Sequence, residues 1–182
     1  MGKALTRIVA ACVLIVCASC GGLDPGTVRA TPLQPPELDP LLGFGGRVRI
    51  DANTSRDRLA FQVEVLRGTE VQLRRDLGEL AFGSPCTVTV ASENTEGGGT
   101  LRIELEDAAG KLSSIGAPLP VEFPAQSKGM TAALLLREEL VQPEAERIPV
   151  FALTRGGQIS FVGVRGPFGA DETVLRVVAL LR

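Results

Sequence analysis

Residues 59–65 read Leu-Ala-Phe-Gln-Val-Glu-Val, and this stretch decides the fold. Its large apolar side chains stand at every second position, and the positions between them hold Ala60, Gln62 and Glu64. Successive side chains of a β-strand point to opposite faces, so this pattern predicts a strand with one apolar face and one more polar face. Strands of this kind are typical of antiparallel sheets that bury one face and expose the other.

The same two-residue period recurs on both sides of this strand. Other runs with this period are residues 47–50, 71–73, 87–90 and 101–105. Turn-forming residues separate the runs, as at Arg67-Gly68-Thr69. A hairpin is predicted between residues 148–153 and 158–164, and residues 172–181 predict a last strand that is apolar on both faces and therefore central. About eight to ten short strands predict an all-β fold, an antiparallel β-sandwich for which an immunoglobulin-like topology is one option.

Residues 130–140 fit two secondary structures. Their Ala, Leu, Arg and Glu content favours a short helix by intrinsic propensity. Residues 131–136 equally fit a buried strand. A strand is the preferred prediction, because the segment is short and its neighbours are strands, and a helix near 130–140 is the alternative.

The composition excludes several kinds of functional site. The chain contains no histidine, which removes Ser-His-Asp and Cys-His catalysis and histidine metal ligands. It contains no tryptophan or tyrosine, the side chains on which sugar-binding sites and interaction hot spots most depend. Its 19 basic and 21 acidic residues are interspersed, so binding to nucleic acid is not expected. No cofactor is expected either, because no cofactor-binding motif is found.

Four oxygen-bearing side chains occupy alternate positions in the first predicted turn. They are Asp51, Asn53, Ser55 and Asp57. Oxygen ligands at the first, third and fifth positions begin a calcium-binding loop. Here Arg56 stands where such a loop needs glycine, and Gln62 stands where it needs a bidentate glutamate. We interpret the segment as a solvated hairpin turn, with a calcium site as the alternative.

Carboxylate pairs and a lone cysteine complete the candidates for chemistry. The pairs are Glu138/Glu139, Glu144/Glu146 and Asp171/Glu172. A hydrolase would need two carboxylates facing each other across a cleft, whereas neighbours in sequence usually serve as surface charge. Cys86 follows a proline and begins an alternating run, so it is expected to be a small core residue.

The N-terminal residues follow the order of a secretory signal. Lys3 and Arg7 are basic, residues 8–16 form an apolar run, and small residues precede Cys20. The apolar run is shorter than the roughly 20 residues that a membrane-spanning helix needs.

The segment Cys17-Ala18-Ser19-Cys20 resembles the lipobox of bacterial lipoproteins, although Cys17 stands where that family usually has leucine. The resemblance covers the signal alone and implies cleavage between Ser19 and Cys20. It also implies a diacylglycerol on the Cys20 sulfur and acylation of the new amino terminus. Glycines, rather than aspartate, follow the cysteine, which in this family favours the outer membrane. The resemblance therefore implies a protein that is anchored by lipid in the cell envelope.

Three segments are predicted from these features. Residues 1–19 are a signal peptide, residues 20–43 are a lipidated cysteine with a proline-rich tether, and residues 44–182 are a single β-sandwich domain. The leading hypothesis for function is a non-catalytic structural or protein-interaction module with a partner in the envelope. The alternatives are a carrier of small apolar ligands with a cavity like that of a β-barrel, and an envelope hydrolase that uses acidic residues.

Overall fold

A computed structural model of the chain describes residues 22–34, 43–95, 98–120, 123, 130–156 and 163–182. These residues form eleven β-strands and no helix. The strands are β1 (Thr27–Leu33), β2 (Gly43–Asn53), β3 (Arg58–Arg67), β4 (Glu70–Ala81), β5 (Cys86–Thr95), β6 (Gly98–Asp107), β7 (Leu112–Pro118), β8 (Met130–Leu134), β9 (Leu140–Pro143), β10 (Ile148–Gly156) and β11 (Thr173–Leu181).

The strands make two antiparallel sheets that pack face to face. Sheet A has the order β7-β6-β5-β2-β1-β9, and sheet B has the order β4-β3-β11-β10-β8. The predicted all-β sandwich is confirmed. Its strand order differs from that of immunoglobulin domains, in which the last strand lies at the edge of its sheet. Here β11 lies between β3 and β10.

The core lies between the two sheets and is built from alternate residues of their central strands. Phe61 and Val63 of β3 are at most 1% exposed, and so is Ile103 of β6. β11 is apolar on both faces, with Val174 and Leu175 both fully buried. The prediction of a central last strand is confirmed, because β11 has a partner on each side.

Residues 130–140 contain no helix. β8 ends at Leu134 and β9 begins at Leu140, so the segment holds parts of two strands that lie in different sheets. Ala133 pairs with Leu153 of β10, and Leu140 pairs with Ala30 of β1. Pairing with neighbouring strands thus overrides the intrinsic helix propensity of this segment, and the helix alternative is wrong. The first strand of the predicted hairpin lies in β10, which extends through Gly156 and pairs with β8 and β11. Most of the hairpin's second strand, residues 158–164, lies outside the described residues.

The proline-rich segment is not a free tether over its whole length. Residues 27–33 form β1, which lies between β2 and β9, and Val28 and Ala30 are buried in the core. The domain therefore begins well before residue 44. Pro32 is tolerated because β9 pairs only with residues 27–30, so its missing N–H lies on the side of β1 that has no partner at this point.

Candidate interaction site

The edge strand β7 closes one side of sheet A and carries backbone groups that no described strand uses. Asp107 N–H donates to the carbonyl of Lys111, and Leu119 N–H donates to the carbonyl of Gly99. The backbone N–H and C=O groups of the odd-numbered residues of β7 therefore form hydrogen bonds with β6. In an antiparallel ladder the residues between them direct their N–H and C=O groups to the opposite side. The residues whose N–H groups point outward in this way are Leu112, Ser114 and Gly116.

The side chains of β7 do little to block an approaching strand. The sequence Leu-Ser-Ser-Ile-Gly-Ala-Pro contains no charge. Leu112 is 65% exposed, and no atom lies within 4 Å of the place where a β-carbon on Gly116 would stand. Ile115 points inward and packs against Gly78 of β4, where a β-carbon would stand 3.3 Å from Ile115 Cδ1. This contact joins the two sheets while leaving the backbone edge of β7 open.

Two other edge strands are protected in the ways that natural proteins use against unwanted pairing. β4 carries charged residues such as Arg74, Arg75 and Asp76, and its register with β3 shifts at two places. Bulges and charges of this kind discourage the addition of a strand. β9 has only four residues. The fourth edge strand, β8, is uncharged like β7 but has only five residues. Among the four edges, β7 is the longest uncharged one and therefore suits pairing with another chain best.

The outer face of sheet A beside β7 is polar and charged. On the neighbouring strand β6, Arg102 Nη2 lies 2.6 Å from Glu104 Oε1, and Glu106 stands beside Leu112 of β7. A strand added to β7 would therefore lie next to one exposed leucine, and the charged row Arg102, Glu104 and Glu106 on β6 would lie one strand further away. This arrangement can select an extended segment by its side chains while the backbone supplies the hydrogen bonds.

A buried glutamate surrounded by three arginines lies on the outer face of sheet B. Glu64 of β3 is 0% exposed. Arg176 of β11 donates two hydrogen bonds to Glu64 Oε2, from Nη2 at 2.6 Å and from Nε at 3.0 Å. Arg74 Nη2 and Arg147 Nη1 lie 2.9 and 3.3 Å from Oε1. One carboxylate thus joins β3 to β4, to β11 and to the residue preceding β10.

The environment of Glu64 fixes its charge. Burial by itself would raise the pKa of Glu64, but hydrogen bonds and positive charge from Arg176 and Arg74 outweigh burial and lower the pKa below the ordinary 4.5. Glu64 is therefore ionised at neutral pH and cannot serve there as a general acid. We assign it a structural role. The alternation of residues 59–65 showed that Glu64 faces away from the core, but three distant arginines could not be assigned to it from sequence.

The predicted calcium ligands do not converge. Asp51 Oδ2 pairs with Arg49 Nε at 3.2 Å, and the Asn53 side-chain amide donates to the carbonyl of Leu23 at 2.8 Å. The Thr54 hydroxyl accepts a hydrogen bond from the Arg56 N–H, as in a side-chain-capped turn. In the described part of the chain, no group of three or more Asp, Glu, Cys or His side chains could hold a metal ion. The segment that includes Ser55 and Asp57 forms the turn between β2 and β3, but these strands lie in different sheets, so the hairpin interpretation is wrong.

Cys86 lies in the core and is 3% exposed, as predicted. Burial, and secondarily the negative charges of Asp51 and Asp107, raise the pKa of its thiol to about 12. A thiol with this pKa is almost entirely protonated at neutral pH and is a poor nucleophile.

The carboxylate pairs belong to separate structural contacts. Glu139 Oε1 lies 3.3 Å from Arg29 Nε, and Glu144 Oε1 lies 3.0 Å from Arg56 Nε. Glu172 is buried and accepts a hydrogen bond from the Gly169 N–H at 2.6 Å. Glu138 and Glu139 line a cavity of about 340 Å³ at the surface between β8 and β9, whose walls combine charged and apolar side chains.

Ser19 and Cys20 lie outside the described residues, so lipidation at Cys20 stays a prediction. No helix in the described ranges is long and apolar enough to cross a membrane. Comparisons with protein-family models, with curated proteins and with solved structures find no match to this chain.

Proposed function

We propose that this chain is a lipid-anchored protein of the cell envelope that binds another protein through β7 and catalyses no reaction. The anchor is supported by the signal-like residues 3–19 and by Cys20, and the outer membrane is the expected location. The binding role is supported by one structural observation above all, which is the uncharged edge of β7 with which no described strand pairs on the outer side. The lack of histidine in the chain agrees with a role that requires no proton transfer.

A partner would contribute an extended segment to sheet A. Backbone groups of the segment would bond to the outward N–H and C=O groups of β7, as in other cases of strand addition. Natural sheets usually protect such an edge with charges, proline or bulges, and β7 has only Pro118 at its end. Because the backbone bonds are independent of sequence, specificity would come from Leu112 and from the charged row on β6.

Replacing Gly116 by proline tests the role of β7. Proline removes the outward N–H and places its ring where a partner strand would lie, whereas the bonds to β6 come from the neighbouring residues. An unsatisfied partner carbonyl costs about 1–3 kcal/mol, so cross-linking to the partner should fall about tenfold or more. The measurement is photo-cross-linking in intact cells from a reactive residue at position 114, which is exposed.

Gly116→Ala is the matched control. It keeps the N–H, and its methyl group would enter open space. Cross-linking in this variant should equal that of the natural chain. If Gly116→Pro keeps its cross-links, or if Gly116→Ala loses them as well, β7 is not the binding edge.

Replacing Cys20 by serine tests the anchor. The variant should keep its signal peptide and incorporate no labelled fatty acid, because the Cys20 sulfur is the proposed lipid acceptor. Cys17→Ser is the matched control and should be processed normally. Signal removal and lipid labelling in the Cys20→Ser variant would contradict the proposed anchor.

A further inference from the structure

The structure fixes the place where the anchored segment joins the domain. The carbonyl of Leu23 accepts a hydrogen bond from the Asn53 amide at 2.8 Å, and Gly26 N–H donates to the carbonyl of Asn53 at 2.8 Å. The carbonyl of Gly26 accepts from Glu144 N–H, also at 2.8 Å. From Leu23 onward the chain is therefore held to the β2–β3 and β9–β10 turns.

Several loops of both sheets gather at the same end of the sandwich. This end, named here the near end, comprises residues 22–26, 54–57, 82–85, 108–111, 144–147 and 182. Arg56 links the two sheets there, because its side chain contacts both Glu144 and the carbonyl of Leu181. Phe82 N–H donates to the carbonyl of Asp57 at 2.8 Å and ties a further loop to the same end.

Only a short length of chain separates Cys20 from the near end. Three residues of extended chain span at most about 11 Å, so the Cα atom of Cys20 lies within that distance of the Cα atom of Leu23. A diacylglycerol on Cys20 lies at the membrane surface. We propose that the near end rests against the lipid head groups with no spacer between them, and that the β3–β4 turn at residues 68–69 points away from the membrane. This inference rests on the proposed lipidation of Cys20.

Charge does not drive this contact. The near end carries the basic residues Arg56, Lys111, Arg147 and Arg182 and the acidic residues Asp24, Asp57, Glu144 and Glu146. These side chains balance, so anionic lipid should neither attract nor repel this surface strongly. Contact is enforced by the short covalent link and should be insensitive to salt.

The orientation limits which strand can pair with β7. β7 begins at the near end and runs away from it, so its open edge faces sideways above the membrane. An antiparallel pair of β7 strands from two copies would turn the near end of one copy away from the membrane. Two copies anchored in one leaflet therefore cannot pair β7 with β7 in this way, and an antiparallel partner strand must run toward the membrane.

Fluorescence quenching on lipid vesicles tests the orientation. The lipidated full chain is inserted into phosphatidylcholine vesicles that contain a lipid with a nitroxide head group, which quenches only at short range. A dye is attached to a cysteine replacing Gly83 at the near end or Thr69 at the opposite end, both of which are exposed. These ends are separated by the ten residues of β3, or about 30 Å. Cys86 is buried and Cys20 is acylated, so only the introduced cysteine should react.

The dye at position 83 should be quenched several-fold more than the dye at position 69, at both low and high salt. A flexible Gly/Ser insertion of twenty residues after Gly21 gives a spacer of about 25 Å and should abolish the difference while the protein still floats with the vesicles. Equal quenching at the two positions in floating protein without the insertion would overturn the orientation alone. Protein that carries no lipid and does not float would overturn the lipidation and the orientation together.

Discussion

Alanine in place of Phe151 is expected to lower the free energy of unfolding by about 3–5 kcal/mol, which is the usual cost of truncating a buried aromatic residue. Phe151 of β10 is 0% exposed. Its ring crosses the core to sheet A and meets β2 at Gly46, where a β-carbon would stand 3.1 Å from Phe151 Cδ2. Because small domains are stable by only about 5–15 kcal/mol, this loss is a large part of the total. Urea denaturation of the purified domain measures it.

Gly46→Ala, Phe151→Leu and their combination connect this loss to the contact with Gly46. Gly46→Ala should cost about 1–3 kcal/mol, because the methyl group would press on both Phe151 and Leu135. Combined with Phe151→Leu, it should cost less than the sum of the two separate changes, since the smaller side chain makes room. Leu112→Ala, at an exposed position, should change stability by less than about 0.5 kcal/mol. Additive costs for Gly46→Ala and Phe151→Leu would contradict this account of the core.

Replacing Arg176 by methionine should lower the free energy of unfolding by about 3 kcal/mol, the lower end of the range for breaking a buried ion pair. The change removes the two bonds to Glu64 Oε2 and leaves Arg74 and Arg147 on Oε1. Glu64→Gln should cost less, because the guanidinium groups that it releases can be hydrated. The matched control is Arg182→Met, whose ion pair with Glu79 joins two exposed side chains and should contribute less than about 1 kcal/mol.

The pH dependence of stability gives this prediction a second readout. The pKa of Glu64 is lower in the folded state than its ordinary 4.5, so its contribution is present above that pH and is lost as the pH falls through the folded pKa. The difference in stability between the natural chain and Glu64→Gln should therefore shrink in acid. A constant difference from pH 7 to pH 2, or equal losses in Arg176→Met and Arg182→Met, would show that the cluster does not stabilise the fold.

Strands with dense apolar alternation were predictable from the sequence, and strands without it were not. Residues 59–65 and 172–181 lie in strands with a partner on each side, and dense apolar residues mark them. β7 buries little and contains Ser113, Ser114 and Gly116, so it shows no apolar alternation. β1 does alternate around Val28 and Ala30, but the surrounding prolines favoured an extended tether.

The candidate site on β7 could not be predicted from the sequence, for a related physical reason. Hydrogen-bonding groups on an open edge belong to the backbone, and every non-proline residue carries them. Which edge stays open depends on strand order, and that order is set by pairing between distant segments such as β2 and β5. The absence of histidine, by contrast, could be read directly from the composition.

Because Cys86 is buried, the reactivity of its thiol reports whether the domain is folded. At the proposed location outside the cytoplasm, disulfide exchange would threaten any accessible thiol, because partner thiols and oxidants are present there. Here the Cys86 thiol faces the core and stays protonated because its pKa is about 12. The folded chain should therefore form no disulfide-linked dimer through Cys86. Once the sandwich opens, the same sulfur becomes reactive at its ordinary pKa. The fraction of disulfide-linked dimer in an aged sample would thus indicate how many molecules had unfolded.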